Sequence, residues 1–136
     1  MKTRKTRYAH YNINSHFVWI PKYRRKVLTG AVADELERLI RKVCGEMEVE
    51  VLSLSVQPDH VHLFVSAPPR YAPAVLINAI KGYTSRYIRQ KFPELEAQTG
   101  PRLWTRTYYV GTAGTVSAET IRRYFAAILK NPRMFR

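Results

Sequence analysis

Residues 49–66 read VEVLSLSVQPDHVHLFVS, and this stretch decides the fold. Two runs of apolar and β-branched residues flank Gln57-Pro58-Asp59, a tight-turn signal, so the spacing predicts a hairpin with strands over Val49–Val56 and His60–Ser66. Side chains alternate along a strand. His60, His62 and Phe64 therefore share one face, and Val61, Leu63 and Val65 share the other. The apolar face belongs beneath helices, which leaves the histidine face open or covered by something other than the two crossover helices. Two neutral imidazoles side by side are good ligands for a divalent ion, or donors to one phosphate. Two ligands alone hold an ion weakly, so a third ligand or substrate oxygens must complete the shell. The competing reading of a bare His-x-His strand is hydrogen bonding or packing.

Working outward, His10 to Ile20 is rich in β-branched and aromatic residues and is stopped by Pro21, which predicts a first strand. A loop follows with four cations, Lys22, Arg24, Arg25 and Lys26, around Tyr23. Residues 1–8 read as a basic, loosely ordered arm. Val32, Leu36, Leu39, Ile40, Val43 and Met47 form the 3.6-residue stripe of a helix, with Asp34 and Glu35 in its first turn. Pro73 opens a second helix whose stripe reads Leu76, Ile80, Tyr83, Tyr87 and whose other face carries Lys81, Arg86, Arg89 and Lys91. Phe92-Pro93 closes it. A polar loop spans 94–101, a fourth strand runs from Leu103 to Val110, and Gly111-Thr112-Ala113-Gly114 reads as a hinge. Ser117 suits an N-cap for a last helix over Ala118–Lys130. The order βαββαβ plus a C-terminal helix predicts an α+β fold. Its core is a ferredoxin-like or RNA-recognition-like antiparallel sheet with helices on one face. Residues 1–136 read as one domain.

The chain is strongly basic. Lys and Arg number 23 against 10 acidic residues, a net charge of +13. Such an excess points to a polyanion, of which nucleic acid is the commonest. The cations are spread along the whole chain and do not line one amphipathic helix, which argues against a membrane surface. No apolar run approaches spanning length, and no apolar stretch follows the basic N-terminus as in a secretion signal. The lone Cys44 excludes an internal disulfide and reads as a buried thiol. A cytoplasmic protein, nucleoid-associated when bound to DNA, is the expectation.

Several motifs carry a family resemblance that covers nearly the whole chain. They are His16-Phe17-Val18-Trp19 with Pro21-Lys22-Tyr23-Arg24-Arg25, Pro58-Asp59-His60-Val61-His62-Leu63-Phe64-Val65, Lys81-Gly82, Leu103-Trp104-Thr105-Arg106, and Val116 to Tyr124. The sequence resembles the small single-tyrosine HUH-type transposases of the insertion-sequence 200/605 group. The resemblance implies an enzyme that binds single-stranded DNA ends folded into hairpins. A helix-borne tyrosine attacks a phosphodiester, becomes joined to the 5′ phosphate and frees a 3′ hydroxyl, which later rejoins strands without ATP. It implies Tyr124 as nucleophile, and His60 and His62 as ligands of a divalent ion, Mg²⁺ or Mn²⁺. It also implies a homodimer in which the tyrosine helix can serve the partner's site, a swing that the 111–114 hinge would suit. Without the resemblance, Tyr124 is one of nine tyrosines and sits in an ordinary apolar stripe with Ile121, Phe125, Ile128 and Leu129. One departure stands out. Four positions after the tyrosine the family usually carries a Gln that supplies the third metal ligand, and this chain has Ile128. Asn131 could approach the same face.

Arg4, Arg7, Lys22, Arg24, Arg25 and Lys26 are the candidate phosphate contacts, and Tyr23 the candidate stacking surface for an unpaired base. His10 and His16 read as structural or DNA-facing. Two other functions fit the same residues. One is a catalytically weakened or inactive single-stranded nucleic-acid-binding protein of the same fold, using Trp104, Tyr108 and Tyr109. The other is a metal-dependent nuclease that hydrolyses without a covalent intermediate.

Overall fold

The computed structural model describes residues 4–5, 10–11, 13–112, 123 and 126. Four strands form an antiparallel sheet: β3 (Asn14–Trp19), β4 (Glu50–Gln57), β5 (His60–Ser66) and β6 (Tyr109–Thr112). They lie in the order β4-β5-β3-β6, the ferredoxin-like arrangement, with the 50–66 hairpin at one side. Helices α1 (Gly30–Glu46) and α2 (Pro73–Lys91) pack against each other. Phe17 and Trp19 of β3 and Val61, Leu63 and Val65 of β5 have no exposed surface and join Leu36, Ile40, Leu76, Ile77 and Ile80 of the helices in one core. Each such side chain contributes roughly 1.5–3 kcal/mol by leaving water. Among the described residues, no helix is long and apolar enough to cross a membrane.

The expected order of elements holds, with local corrections. The 10–20 segment is not one strand. His10–Tyr11 forms β2, which pairs with β1 (Arg4–Lys5) in a separate two-stranded sheet, so part of the basic arm is ordered by backbone pairing. Helix α1 starts at Gly30, earlier than its apolar stripe, so Glu35 lies beyond the first turn. There it is buried and ion-paired with Lys91 of α2 and with Arg38. The Lys91 and Arg38 hydrogen bonds hold its carboxyl below the usual range against the opposing effect of burial. The 94–101 loop contains a 3₁₀ turn (Pro93–Leu95) and a short helix, α3 (Glu96–Thr99), because Leu95 anchors in the core. Cys44 is buried as expected, and burial pushes its thiol up to about 12.

The largest correction concerns α2. Its buried side is Leu76, Ile77, Ile80, Lys81, Thr84 and Ile88, while Tyr87 is exposed. Lys81 therefore sits inside, not on a cationic face. Its Nζ donates to the carbonyls of Thr105 (2.7 Å) and Thr107 (3.2 Å) and lies 5.7 Å from the Tyr108 ring centroid. Beside it, Trp104 Nε1 donates to Thr84 Oγ1 at 3.0 Å. These bonds tie residues 104–107 to the helix, residues 103–105 pair with 20–22 beyond the end of β3, and of the expected fourth strand only Tyr109 and Val110 pair with β3, in a strand that runs on to Thr112. Gly111 belongs to that strand. A Cβ there would stand 2.5 Å from the Tyr109 hydroxyl, so the glycine lets that ring fold close over the strand. Ala113, Gly114 and the expected 118–130 helix, with Tyr124, Ile128 and Asn131, lie outside the described residues, apart from Arg123 and Ala126.

Burial lowers the Lys81 ammonium from its ordinary 10.5 to about 8. The folded chain then sheds this proton before the unfolded chain does, so stability rises as pH climbs from 8 towards 10.5. The relief corresponds to roughly 3 kcal/mol, and the neutral amine keeps two N–H donors for the two carbonyls. We expect the melting temperature of the wild-type chain to gain several degrees relative to Lys81→Met between pH 7.5 and 9.5. Parallel profiles in a thermal-melt series would show that the ammonium is not destabilised by burial.

Candidate active site

The histidines are placed by register. In β5 facing β3, Val18 stands opposite His62 and His16 opposite Phe64, so His16 lies diagonal to His62 on the same face. His62 Nε2 is 3.0 Å from His16 Nδ1, and the His16 ring stacks on Phe64 with centroids 4.0 Å apart. His16 is 4% exposed, so of its two expected roles the structural one is realised. Burial lowers the pKa of both His16 and His62. The His62 charge adds to the effect on His16, and the His60 charge to that on His62. Both imidazoles are therefore neutral at pH 7 and one donates to the other. On β4, Ser55 and Gln57 stand opposite His62 and His60, on the same face. His60, His62 and Phe64 are half-buried and accessible, as the alternation predicts.

His60 is oriented by the turn that precedes it. Its Nδ1 lies 2.9 Å from Asp59 Oδ1, and a carboxylate only accepts, so Nδ1 carries a proton and Nε2 is the nitrogen left to face the open side. Asp59 Oδ2 accepts from Arg24 Nε at 2.9 Å. Burial works to raise the Asp59 carboxyl, but the His60 hydrogen bond and the Arg24 charge outweigh it and hold the group below the usual range. The arginine and the aspartate are 35 residues apart, and no local pattern announces their meeting.

Arg24 belongs to a turn after β3 in which the candidate DNA contacts take different surroundings. Tyr23 and Arg24 both adopt left-handed backbone angles, with φ 59° and 52°. Bulky residues rarely do so, and the cost is of order 1–3 kcal/mol each. Bonds from Arg24 N to Pro21 O (2.8 Å) and from Lys22 N to Leu103 O (2.7 Å) hold the turn. The result displays Tyr23, 51% exposed, with the Arg25 guanidinium and the Lys22 ammonium within 6 Å of its ring. Arg25 and Lys26 are exposed, Arg24 is engaged with Asp59, and Lys22 is buried. Arg4 takes part in β1 through its backbone, whereas Arg7 lies outside the described residues.

Two imidazoles on an accessible face suit a divalent ion. Among the described residues no group of three or more His, Cys, Asp or Glu side chains surrounds a common point, so a complete shell needs a donor from elsewhere. A sheet that carries His-x-His on its open face above a basic turn matches a known family. The family model described as "Transposase IS200 like" matches residues 9–127. The chain belongs to the IS200-like transposase family. Among similar relatives, the ISDra2 transposase TnpA of Deinococcus radiodurans is 34% identical over 125 residues, covering 91% of this chain and 89% of that protein. The transposase for insertion sequence element IS200 of Salmonella typhimurium is 29% identical, covering 93% and 84%. A crystal structure of a Deinococcus radiodurans R1 chain described as a transposase superposes with a TM-score of 0.78 at 33% identity, covering 93% of this transposase and 96% of that chain. A REP-associated tyrosine transposase bound to a REP hairpin shares the fold, with a TM-score of 0.56 at 15% identity over 97% of this chain and 76% of that one.

Proposed function

We propose that this transposase cleaves and rejoins single-stranded DNA at hairpin-bearing element ends through a 5′-phosphotyrosine on Tyr124. His60 and His62 would hold a divalent ion, Mg²⁺ or Mn²⁺, and the chain would act as a homodimer. The observation that carries the reading is the pair of oriented imidazoles, His60 and His62, on the accessible face of β5, in a member of a transposase family. The Tyr124 oxygen attacks phosphorus, the bond to the 3′ oxygen breaks, and the departing oxygen takes up a proton as the phenol gives one up. The phosphotyrosine keeps the energy of the phosphodiester, so a later 3′ hydroxyl can reverse the step. A divalent ion at the histidines would supply charge that weakens the scissile bond. The net charge of +13 and the displayed Tyr23 suit a flexible single strand, whose bases are free to stack.

The test is covalent capture. Incubated with a labelled hairpin-ended single strand and Mn²⁺, then run on a denaturing protein gel, the wild-type chain should carry the label. Cleavage without attachment would favour hydrolysis. Binding with neither would favour the inactive single-strand binder, the reading that Ile128 in place of the usual Gln supports.

Arg24 acts in this scheme as a positioning residue, through Asp59 on His60. Arg24→Gln is expected to raise the Mn²⁺ concentration needed for half-maximal cleavage by about 10–100-fold, with the rate at saturating Mn²⁺ changed much less and partial rescue by Arg24→Lys. An unchanged Mn²⁺ titration would show that the ion pair does not orient the ligand.

A further inference from the structure

The accessible face of β5 carries two candidate ion ligands, and each is held by a neighbour through a different ring nitrogen. His60 is tied at Nδ1, 2.9 Å from Asp59 Oδ1. His62 is tied at Nε2, 3.0 Å from His16 Nδ1, and its own Nδ1 has no hydrogen-bond partner among the described residues.

The group that holds His62 is itself firmly placed. His16 lies on β3, the strand between β5 and β6, and is 4% exposed. Its ring stacks flat on Phe64, with the planes 9° and the centroids 4.0 Å apart. A phenyl ring would stack there as well, without the cost of burying ring nitrogens. What the imidazole adds is Nδ1, aimed at His62.

The direction of that bond decides whether His62 can be a ligand. A neutral imidazole has one N–H and one lone pair. If His16 donated to His62 Nε2, the His62 lone pair would be spent on that bond and its proton would sit on Nδ1. No electron pair would remain for an ion. If His62 Nε2–H donates to His16 Nδ1, the lone pair stands on His62 Nδ1 with the bond intact. A ring N–H held from behind in this way fixes the tautomer and the ring plane and raises the basicity of the other nitrogen.

We propose that His16 is a positioning residue for the divalent ion: it accepts from His62 Nε2, so that His62 presents Nδ1 where His60 presents Nε2. His16 thus does for one ligand what Asp59 does for the other. The inference rests on the reading that His60 and His62 hold a divalent ion.

The test uses the full chain with isotope-labelled histidine rings and NMR-active cadmium, a diamagnetic divalent ion whose coupling to a ring nitrogen identifies the bond directly. Before metal is added, His62 should carry its proton on Nε2. With cadmium bound, coupling should appear at His62 Nδ1 and His60 Nε2. Coupling at His62 Nε2 would overturn the proposal, because the ion would then displace His16. Two variants add an affinity readout: His16→Phe keeps the stack on Phe64, and His16→Asn offers an amide oxygen in place of Nδ1. His16→Phe should weaken Mn²⁺ binding, followed by electron paramagnetic resonance, about 10–100-fold, with partial recovery in His16→Asn. Unchanged or tighter Mn²⁺ binding in a folded His16→Phe would also sink the idea. Thermal melts report folding of the variants separately, and the wild-type cadmium spectrum decides the matter even if neither folds. If cadmium couples to His62 Nε2 while the wild-type chain still forms the covalent adduct, this inference alone fails. If cadmium couples to neither His60 nor His62, the ion-binding reading fails and takes the inference with it.

Discussion

Tyr124→Phe is expected to bind the hairpin oligonucleotide within about threefold of wild type and to form no covalent adduct at any Mn²⁺ concentration. The substitution keeps the ring and removes only the oxygen that would attack phosphorus, so no slower route to the same adduct remains. The size of the effect follows from the chemistry of the phenol. With a pKa near 10, roughly one tyrosine in a thousand is ionised at pH 7, a deficit of about 4 kcal/mol that the site must offset before attack. Such activation is built around one oxygen, and the other eight of the nine tyrosines should not substitute for it. Tyr109 provides the control, because it lies on the histidine face two strands from His62 and folds over Gly111. Tyr109→Phe should retain label transfer. Adduct formation by Tyr124→Phe, lost instead in Tyr109→Phe, would move the nucleophile to β6.

The second large effect is at His62. His62→Ala is expected to lower strand cleavage by roughly 10²–10³-fold, with no rescue by excess Mn²⁺. It should also lower stability, because His16 Nδ1 loses its 3.0 Å partner in a residue that is only 4% exposed. The loss of a buried hydrogen bond costs about 0.5–1.5 kcal/mol. His62→Gln separates the two effects. Its amide can still meet His16, so stability should largely recover while cleavage stays low. If His62→Gln cleaves at the wild-type rate, the histidine serves packing and not the reaction.

Much of the fold is legible in local pattern. The alternation over residues 49–66 yields the hairpin, the histidine face and the apolar face, and Pro73 marks the first position of α2. Reading fails where a residue's partner is distant in sequence. Lys81 looks like part of a cationic helix face until the carbonyls of Thr105 and Thr107 are brought beside it. Leu103 to Val110 reads as strand, but Trp104 and Thr105 bond both to α2 and to residues 20–21 beyond the end of β3, and only Tyr109 and Val110 pair with β3 itself. That the Tyr109 ring folds over Gly111 shows only in the fold, because the direction of that side chain is set by the pairing of β6 with β3. At the site, His60 and His62 follow from spacing alone. The contact of His16 with His62 follows only once β3 and β5 are in register.

By itself the sequence determined that two imidazoles share one strand face, that the chain carries a net charge of +13, and that the elements run in ferredoxin-like order, because these depend on alternation, composition and chain order. Only the tertiary structure decided what each cation does. Arg24 is engaged with Asp59, Lys81 with two carbonyls, and Lys22 is buried with no hydrogen-bond partner for its Nζ among the described residues. Charge is a property of the residue, whereas its compensation depends on groups 24 to 35 residues away along the chain that meet only when the sheet and helices close on one another.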